Sequence, residues 1–392
     1  MAKTLPAAEW TKRPALAALV AALGNGNARW VGGAVRDTLL GTPVSDIDCA
    51  TPLLPEEVIA RLKDAGIRSV PTGLAHGTVT ALVEGGNVEI TTLRHDVSTD
   101  GRRATVKFAS EWKDDAARRD FTINALYADP DTLEVHDYFG GLADLEARTV
   151  RFIGDARERI REDHLRILRY FRFQARFGAD LDEEAEKACS ELAETLEALS
   201  RERVGWELLN LLGLPDPAPT INRTHELGVL QVVLPESGKR ELVKLAELIE
   251  AERRTRTAPD GLRRLAALLP ALPTIAISVG KRLRLSRQQC GRLGCAAERN
   301  DQDQADPRAL AYRAGIECAV DRLLMAGADL SAFEGWDLPD FPLKGGAIVQ
   351  HGIKPGPQVA RILSEIEDQW IAEGFPDNLR VSAILESKLA QE

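Results

Sequence analysis

A small α/β head followed by a long helical body is the fold class this 392-residue sequence predicts. Short β-branched or apolar runs alternate with helical patterns over the first 140 residues. From about residue 141 the 3.6-residue periodicity dominates to the end. Pro and Gly clusters near 214–219, 270–273 and 352–357 cut that periodicity into separate helices. With 44% hydrophobic residues the chain is long and apolar enough for a buried core and for more than one domain. The divisions expected are 1–140, 141–215 and 216–392.

Taken in order, Pro14 to Leu23 reads as an amphipathic helix, and Arg13 before it, with no plausible cleavage site after it, argues against a targeting segment. Gly32 and Gly33 form a paired-glycine turn leading into a short helix. Residues 55–65 read as helix. Thr78 to Val83 and Val88 to Leu93 read as strands joined by Glu-Gly-Gly-Asn, a hairpin signal. Phe121 onward and Glu134 to Tyr138 continue the mixture. No stretch approaches a membrane span, and no internal repeat or low-complexity segment is evident.

The five cysteines, Cys49, Cys189, Cys290, Cys295 and Cys318, are odd in number and scattered. They predict a reducing, cytoplasmic setting rather than a disulfide framework. Cys290 and Cys295 fit no zinc pattern and are expected as thiols. The net charge of −10 excludes a chain coated in nucleic-acid-binding charge. Locally, however, residues 148–176 hold nine arginines against four acids, and Lys281 to Arg292 holds five cations and no acid. Such runs are ordinarily solvated helix faces; two of them on one chain also suit a long anionic partner.

The chemistry concentrates near the start. Backbone N–H groups of Gly32 and Gly33 can close on an anionic ligand. Asp46 and Asp48 are two apart, so on a strand their carboxylates share a face. Two such groups resist ionising together unless a cation lies between them, and hard oxygens partnered with phosphate favour Mg²⁺. Glu89 interrupts a β-branched run and is the candidate third carboxylate. Arg36 and Arg119 are candidate triphosphate ligands, because guanidinium groups grip phosphate bidentately. In Arg-Arg-Asp-Phe-Thr-Ile-Asn-Ala, Asp120 is expected to cap a helix and to lie within reach of a ribose hydroxyl.

A second segment runs from Arg161 to Arg176. Asp163, Arg166, Arg169 and Arg172 recur every third residue and would form one polar stripe on a helix, with Leu165, Leu168 and Phe171 burying beside it. With Arg176 four residues further on, the stripe sets four arginines against one acid, and these repel unless an anion lies opposite. A carboxylate only accepts hydrogen bonds and a guanidinium only donates them. Cytosine and adenine both present an amino donor beside a ring-nitrogen acceptor; uracil and guanine present the reverse. An Asp163–Arg166 couple would therefore accept C and A and reject U and G.

These motifs occur in an order that resembles the class II tRNA nucleotidyltransferases, the CCA-adding enzymes, which share a polymerase-β-like head with bacterial poly(A) polymerases. The resemblance rests on Gly-Gly-Ala-Val-Arg-Asp, Asp-Ile-Asp, the Gly101-Arg-Arg loop, Arg-Arg-Asp-Phe-Thr-Ile-Asn-Ala, Asp137-Tyr-Phe-Gly-Gly and Glu-Asp-x-x-Arg, covering roughly residues 30 to 178. It implies a nucleotidyltransferase head with a small mixed sheet and helices, then an all-α neck, body and tail along which tRNA lies. It implies Mg²⁺ on Asp46 and Asp48, and nucleotide contacts at Gly33, Arg36, Arg119, Asp163, Arg166, Arg169 and Arg172. His164 stands where many relatives carry Pro.

The resemblance also implies CTP and ATP as substrates, with no membrane and no obligate protein partner. The segment Arg94 to Phe108 fills the place of a flexible loop that enzymes adding only CC lack, so complete CCA addition is expected. A poly(A) polymerase or a partial CC- or A-adding enzyme of the same family is the alternative. Outside it stand a small-molecule nucleotidyltransferase and a catalytically silent RNA-binding protein.

Overall fold

The computed structural model describes residues 3–100, 103–177 and 181–390, with 95–100 and 103–107 described by backbone alone. Gly101 and Arg102 of the Gly-Arg-Arg motif lie outside the described residues. By packing, the chain divides into two compact units, residues 1–235 and 236–392.

The first unit is built on a seven-stranded mixed sheet. Its strands are β1 (Arg29–Val31), β2 (Ile47–Thr51), β3 (Arg68–Gly73), β4 (Thr78–Val83) and β5 (Gly86–Thr92). A separate ribbon of β6 (Arg94–Asp100) and β7 (Arg103–Phe108) follows, and β8 (Leu126–Ala128) and β9 (Val135–Asp137) return to the sheet. The order is β3-β4-β5-β2-β1-β8-β9, antiparallel throughout except for β2 with β5. Where a flexible loop was expected, the described residues Arg94–Asp100 and Arg103–Phe108 pair as a ribbon.

Helices α1 (Pro14–Leu23), α2 (Gly33–Leu39), α3 (Pro55–Asp64) and α4 (Trp112–Ala117) accompany these strands. Helix α1 buries Leu16, Leu19, Val20 and Leu23, the face its spacing predicts. The Glu-Gly-Gly-Asn hairpin forms as expected, with Val83 opposite Gly86. On one face of the sheet Val31, Ala50, Ala125 and Tyr127 pack with Leu93, Ala109, Ala116 and Ile153.

Beyond Gly141 every named element among the described residues is helical. The turn into it is set by Asp137, whose carboxylate accepts the N–H groups of Phe139, Gly141 and Leu142. Helices α5 (Gly141–Glu146), α6 (Ala156–Glu162), α7 (Arg166–Phe177), α8 (Glu183–Glu191) and α9 (Arg201–Leu212) then follow. Leu165, Leu168 and Phe171 are buried as expected. Phe121 joins head to helices, packing on Phe152, Tyr170 and Phe173.

Two expectations are corrected here. Asp163 does not lie on the helix that carries Arg166: it follows α6 in an extended conformation, and its carboxylate accepts the Leu165 N–H. A short acceptor two residues upstream of an N–H favours that turn over continued helix. Asp120 caps no helix either. The element after it is a single 3₁₀ turn, Thr122–Asn124, whose N-cap is Phe121.

The second unit is helical. Helices Lys239–Thr255, Gly261–Ala267, Pro273–Arg282, Arg287–Ala297 and Ile316–Met325 surround buried Glu252, Arg263, Arg264 and Asp321, which pair with one another. The Lys281 to Arg292 stretch is less free than its composition suggests. Arg282 pairs with Glu236, and Arg292 with Asp260, Glu317 and Asp321. A further core gathers Ile348, Ile362, Ile366, Trp370 and Ile384.

The cysteine expectation is also corrected. Cys295 and Cys318 form a disulfide, whereas Cys49, Cys189 and Cys290 are buried thiols. The bond joins neighbouring helices across 23 residues of sequence, a proximity that local spacing does not reveal.

Gly141 packs so closely that a Cβ there would overlap the Thr122 carbonyl. Gly141→Ala is expected to destabilise the first unit by about 3 kcal/mol, through overpacking against backbone that has no room to shift. A lowered urea midpoint at unchanged slope is the readout.

Candidate active site

The site starts from strand register. Tyr127 on β8 lies opposite Val31 on β1, Val31 opposite Asp48 on β2, and Asp48 opposite Glu89 on β5. Partners in register present side chains to the same face, so one row runs from Tyr127 through Asp48 to Glu89. Ile47, Cys49, Val88 and Ile90 alternate with these acids and are buried on the other face.

Asp48 is half-buried, and Glu89 and Asp46 are exposed. Asp46 sits one residue ahead of the strand and accepts the Ser45 hydroxyl at 2.8 Å. Burial pushes the Asp48 carboxyl above its ordinary range; Arg119 opposes this, while Glu89 and Asp46 add to it. The three acids predicted from sequence therefore share one electrostatic neighbourhood. Among the described residues no three His, Cys, Asp or Glu side chains make a ready-made metal cage.

Gly32 lies beside the row. Its N–H donates to the Leu126 carbonyl, and its φ of 66° with ψ of −123° suits glycine alone. Arg119 lies against it: a Cβ on Gly32 would stand 3.4 Å from Arg119 Nη1. Arg119 Nε donates to the Tyr127 hydroxyl at 3.1 Å and Nη2 to Asp115 at 3.2 Å. Arg36 is 4% exposed. It donates to Asp37 at 2.8 and 3.0 Å and to Asn124 Oδ1 at 2.5 Å, close to the rings of Phe173 and Phe177. It therefore braces the helix after the glycine turn as well as standing near Gly33.

The arginine stripe on α7 does face anions, and they belong to the protein. Arg169 pairs with Asp120 at 2.6 Å and with Glu207, Arg172 with Glu207 at 2.6 Å, and Arg176 with Asp37 at 2.9 Å. Glu207 is fully buried on α9. Arg166 donates to Glu162 at 2.6 Å and to the carbonyls of Arg159 and Arg118 at 2.9 and 3.0 Å. Asp163 pairs with Arg203 at 2.7 Å. The stripe is thus a set of arginines held in fixed rotamers, not a repelling row awaiting a ligand.

Sequence reasoning missed Asp115, Glu207 and Arg203. Asp115 was findable, since it stands three and four residues before Arg118 and Arg119, which follow the end of its short helix, the spacing at which charges pair. Glu207 and Arg203 lie 35 or more residues from their partners and left no local signal.

Comparison with known proteins places this architecture in a class. Residues 28–151 match the poly(A) polymerase head domain, and residues 178–239 match a probable RNA- and SrmB-binding site of polymerase A. The fold is therefore a nucleotidyltransferase head followed by helices. The mitochondrial CCA tRNA nucleotidyltransferase 1 of Mus musculus is 34% identical over 90% of this chain and 84% of its own. The CCA-adding enzyme of Streptococcus sanguinis is 34% identical over 98% and 99%. The structure of the Bacillus stearothermophilus CCA-adding enzyme in complex with CTP superposes with a TM-score of 0.77 at 28% identity, covering 97% of this chain and 99% of that one. The chain belongs to the family of CCA-adding tRNA nucleotidyltransferases.

Burial raises the Asp120 carboxyl, but Arg169 and the Asn124 amide outweigh it and hold the group down to about 2. A depressed acid stabilises the fold above its ordinary range and loses that contribution as pH falls through the folded value. Asp120→Asn is expected to lower stability on the order of 2 kcal/mol at pH 7 and by much less near pH 2. Denaturant melts across pH 2–7 check this through a flatter acid limb.

Proposed function

We propose that this chain adds CCA to the 3′ end of tRNA without a nucleic-acid template, taking CTP twice and then ATP. The 3′-hydroxyl attacks the α-phosphate and pyrophosphate leaves. Family membership supports the reaction class. The single observation that carries the site is the register pairing of Asp48 with Glu89 beside the Gly32 turn, under Arg119.

The donors at that row are carboxylate oxygens, hard ligands that fit Mg²⁺, and the upward push on Asp48 from Glu89 and Asp46 is relieved by a cation. Asp46 and Asp48 would hold the metal, with Glu89 as the third carboxylate. When bound, such ions sharpen the attacking hydroxyl and steady the leaving phosphates.

The protein's own part is positioning. Gly33 and its neighbouring turn let backbone approach the triphosphate, and Arg119 and Arg36 stand on its flank. Asp163 and Arg166 read the base, one accepting and one donating, so that C and A fit and U and G leave like facing like. The anchors on Arg166 support this role, because a fixed guanidinium discriminates better than a mobile one. Arg169 and Arg172 keep the neck helix on α9 and present their remaining donors to the nucleotide. No described helix is long and apolar enough to cross a membrane, and the cytoplasm is the proposed site of action.

Incubating the protein with tRNA lacking its terminus, Mg²⁺ and each labelled NTP separately tests the assignment. Incorporation of C, then of A onto the CC product, is expected. Activity without RNA, or poly(A) tailing of unrelated RNA, contradicts it. Asp46→Ala and Asp48→Ala should each reduce incorporation below about a thousandth of wild type. Arg166→Ala should instead relax discrimination against UTP and GTP by roughly 10- to 100-fold.

A further inference from the structure

Asp115 is a carboxylate 1% exposed, with no place in the chemistry described so far. It sits in α4, between the root of the β6–β7 ribbon and the sheet. Its Oδ1 accepts Arg118 Nε at 2.8 Å and the Arg94 N–H at 3.4 Å. Its Oδ2 accepts the Tyr127 hydroxyl at 2.6 Å and Arg119 Nη2 at 3.2 Å. Tyr127 OH in turn accepts Arg119 Nε at 3.1 Å, and the Arg119 guanidinium stands 5.3 Å from the Tyr127 ring centroid.

Geometry gives this cluster a direction. A guanidinium is planar, so fixing Nε and Nη2 fixes where Nη1 points. Nη1 is the atom beside Gly32, in the turn next to Asp48. The hydroxyl that fixes Nε belongs to the first residue of the Tyr127–Val31–Asp48–Glu89 row. The same carboxylate also holds the Arg94 N–H, one residue past Leu93, whose own N–H donates to the Thr51 carbonyl at the end of β2. Position on the sheet and orientation of the guanidinium are thereby linked through one buried acid.

We propose that Asp115, acting with the Tyr127 hydroxyl, is a positioning residue that aims Arg119 Nη1 at the nucleotide triphosphate. This rests on the triphosphate assignment above. Because the aimed group meets phosphate and not base, the acid governs how tightly any nucleotide is held and leaves base choice alone. The charge state fits: burial raises the Asp115 carboxyl, yet Arg119 and Arg118 outweigh it and hold the group down to about 2. It therefore stays anionic at working pH.

The test uses the full chain with Asp115→Asn and, separately, Tyr127→Phe. Steady-state CTP addition to tRNA lacking its terminus and ATP addition to tRNA ending in CC are measured, beside thermal melts and UTP and GTP misincorporation. The expected result is a KM increase of about tenfold for Asp115→Asn and about threefold for Tyr127→Phe, by the same factor for CTP and ATP, with discrimination unchanged. A folded Asp115→Asn with wild-type KM for both nucleotides overturns the proposal. So does a rise confined to one nucleotide, or a loss in kcat alone that follows the melting temperature. If Asp115→Asn does not fold, Tyr127→Phe decides by the same criteria. A wild-type protein that adds neither C nor A sinks the functional reading instead, which separates the two failures.

Discussion

Asp48 and Glu89 stand side by side in register across a parallel strand pair, and this juxtaposition of like charges is the constraint around which the site in the head is arranged. Burial raises the proton affinity of Asp48, and Glu89 and Asp46 add to it, a penalty that positive charge relieves. Nearly every neighbouring feature supplies it or steers it. β2 lies between β1 and β5, so the row is rooted in the centre of the sheet, with Tyr127 and Arg119 at one end. Parallel pairing requires a crossover, and α3 with β3 and β4 provides it within residues 55–83.

Buried charge is managed the same way elsewhere in the chain. Buried Arg36 on α2 and half-buried Arg169 and Arg172 on α7 would be costly if left unpaired, and Asp37, Asp120 and Glu207 satisfy them. Such lattices contribute little net stability compared with apolar packing, but they fix rotamers. Fixed rotamers suit a site that must choose by hydrogen-bond direction. In the second unit Glu252, Arg263, Arg264 and Asp321 repeat the pattern.

Much of the site was legible in the residues. The glycine pair, Asp46, Asp48 and the acid interrupting a β-branched run announced the sheet face, and register joined Asp48 to Glu89. The amphipathic α1, the Glu-Gly-Gly-Asn hairpin and the switch to helices near 141 were readable because each depends on local period or turn chemistry. What stayed hidden depends on distance in sequence. Glu207 lies 35 residues from Arg172, and Cys318 lies 23 from Cys295. Asp163 was misplaced for a subtler reason: helical spacing is necessary for a shared stripe, yet a side chain that accepts the N–H two residues on ends the helix first. Its proximity to Arg166 comes from a turn, not from a common helix face.

The central claim is that the row of acids on β2 and β5 exists to hold divalent metal with a triphosphate. Mn²⁺ binding in the presence of CTP, followed by the loss of the free-ion paramagnetic resonance signal, measures it directly. The account predicts that the wild-type chain with CTP removes more of that signal than CTP alone, and that Asp48→Asn loses this excess while the protein remains folded. Unchanged Mn²⁺ binding by a folded Asp48→Asn variant would contradict it.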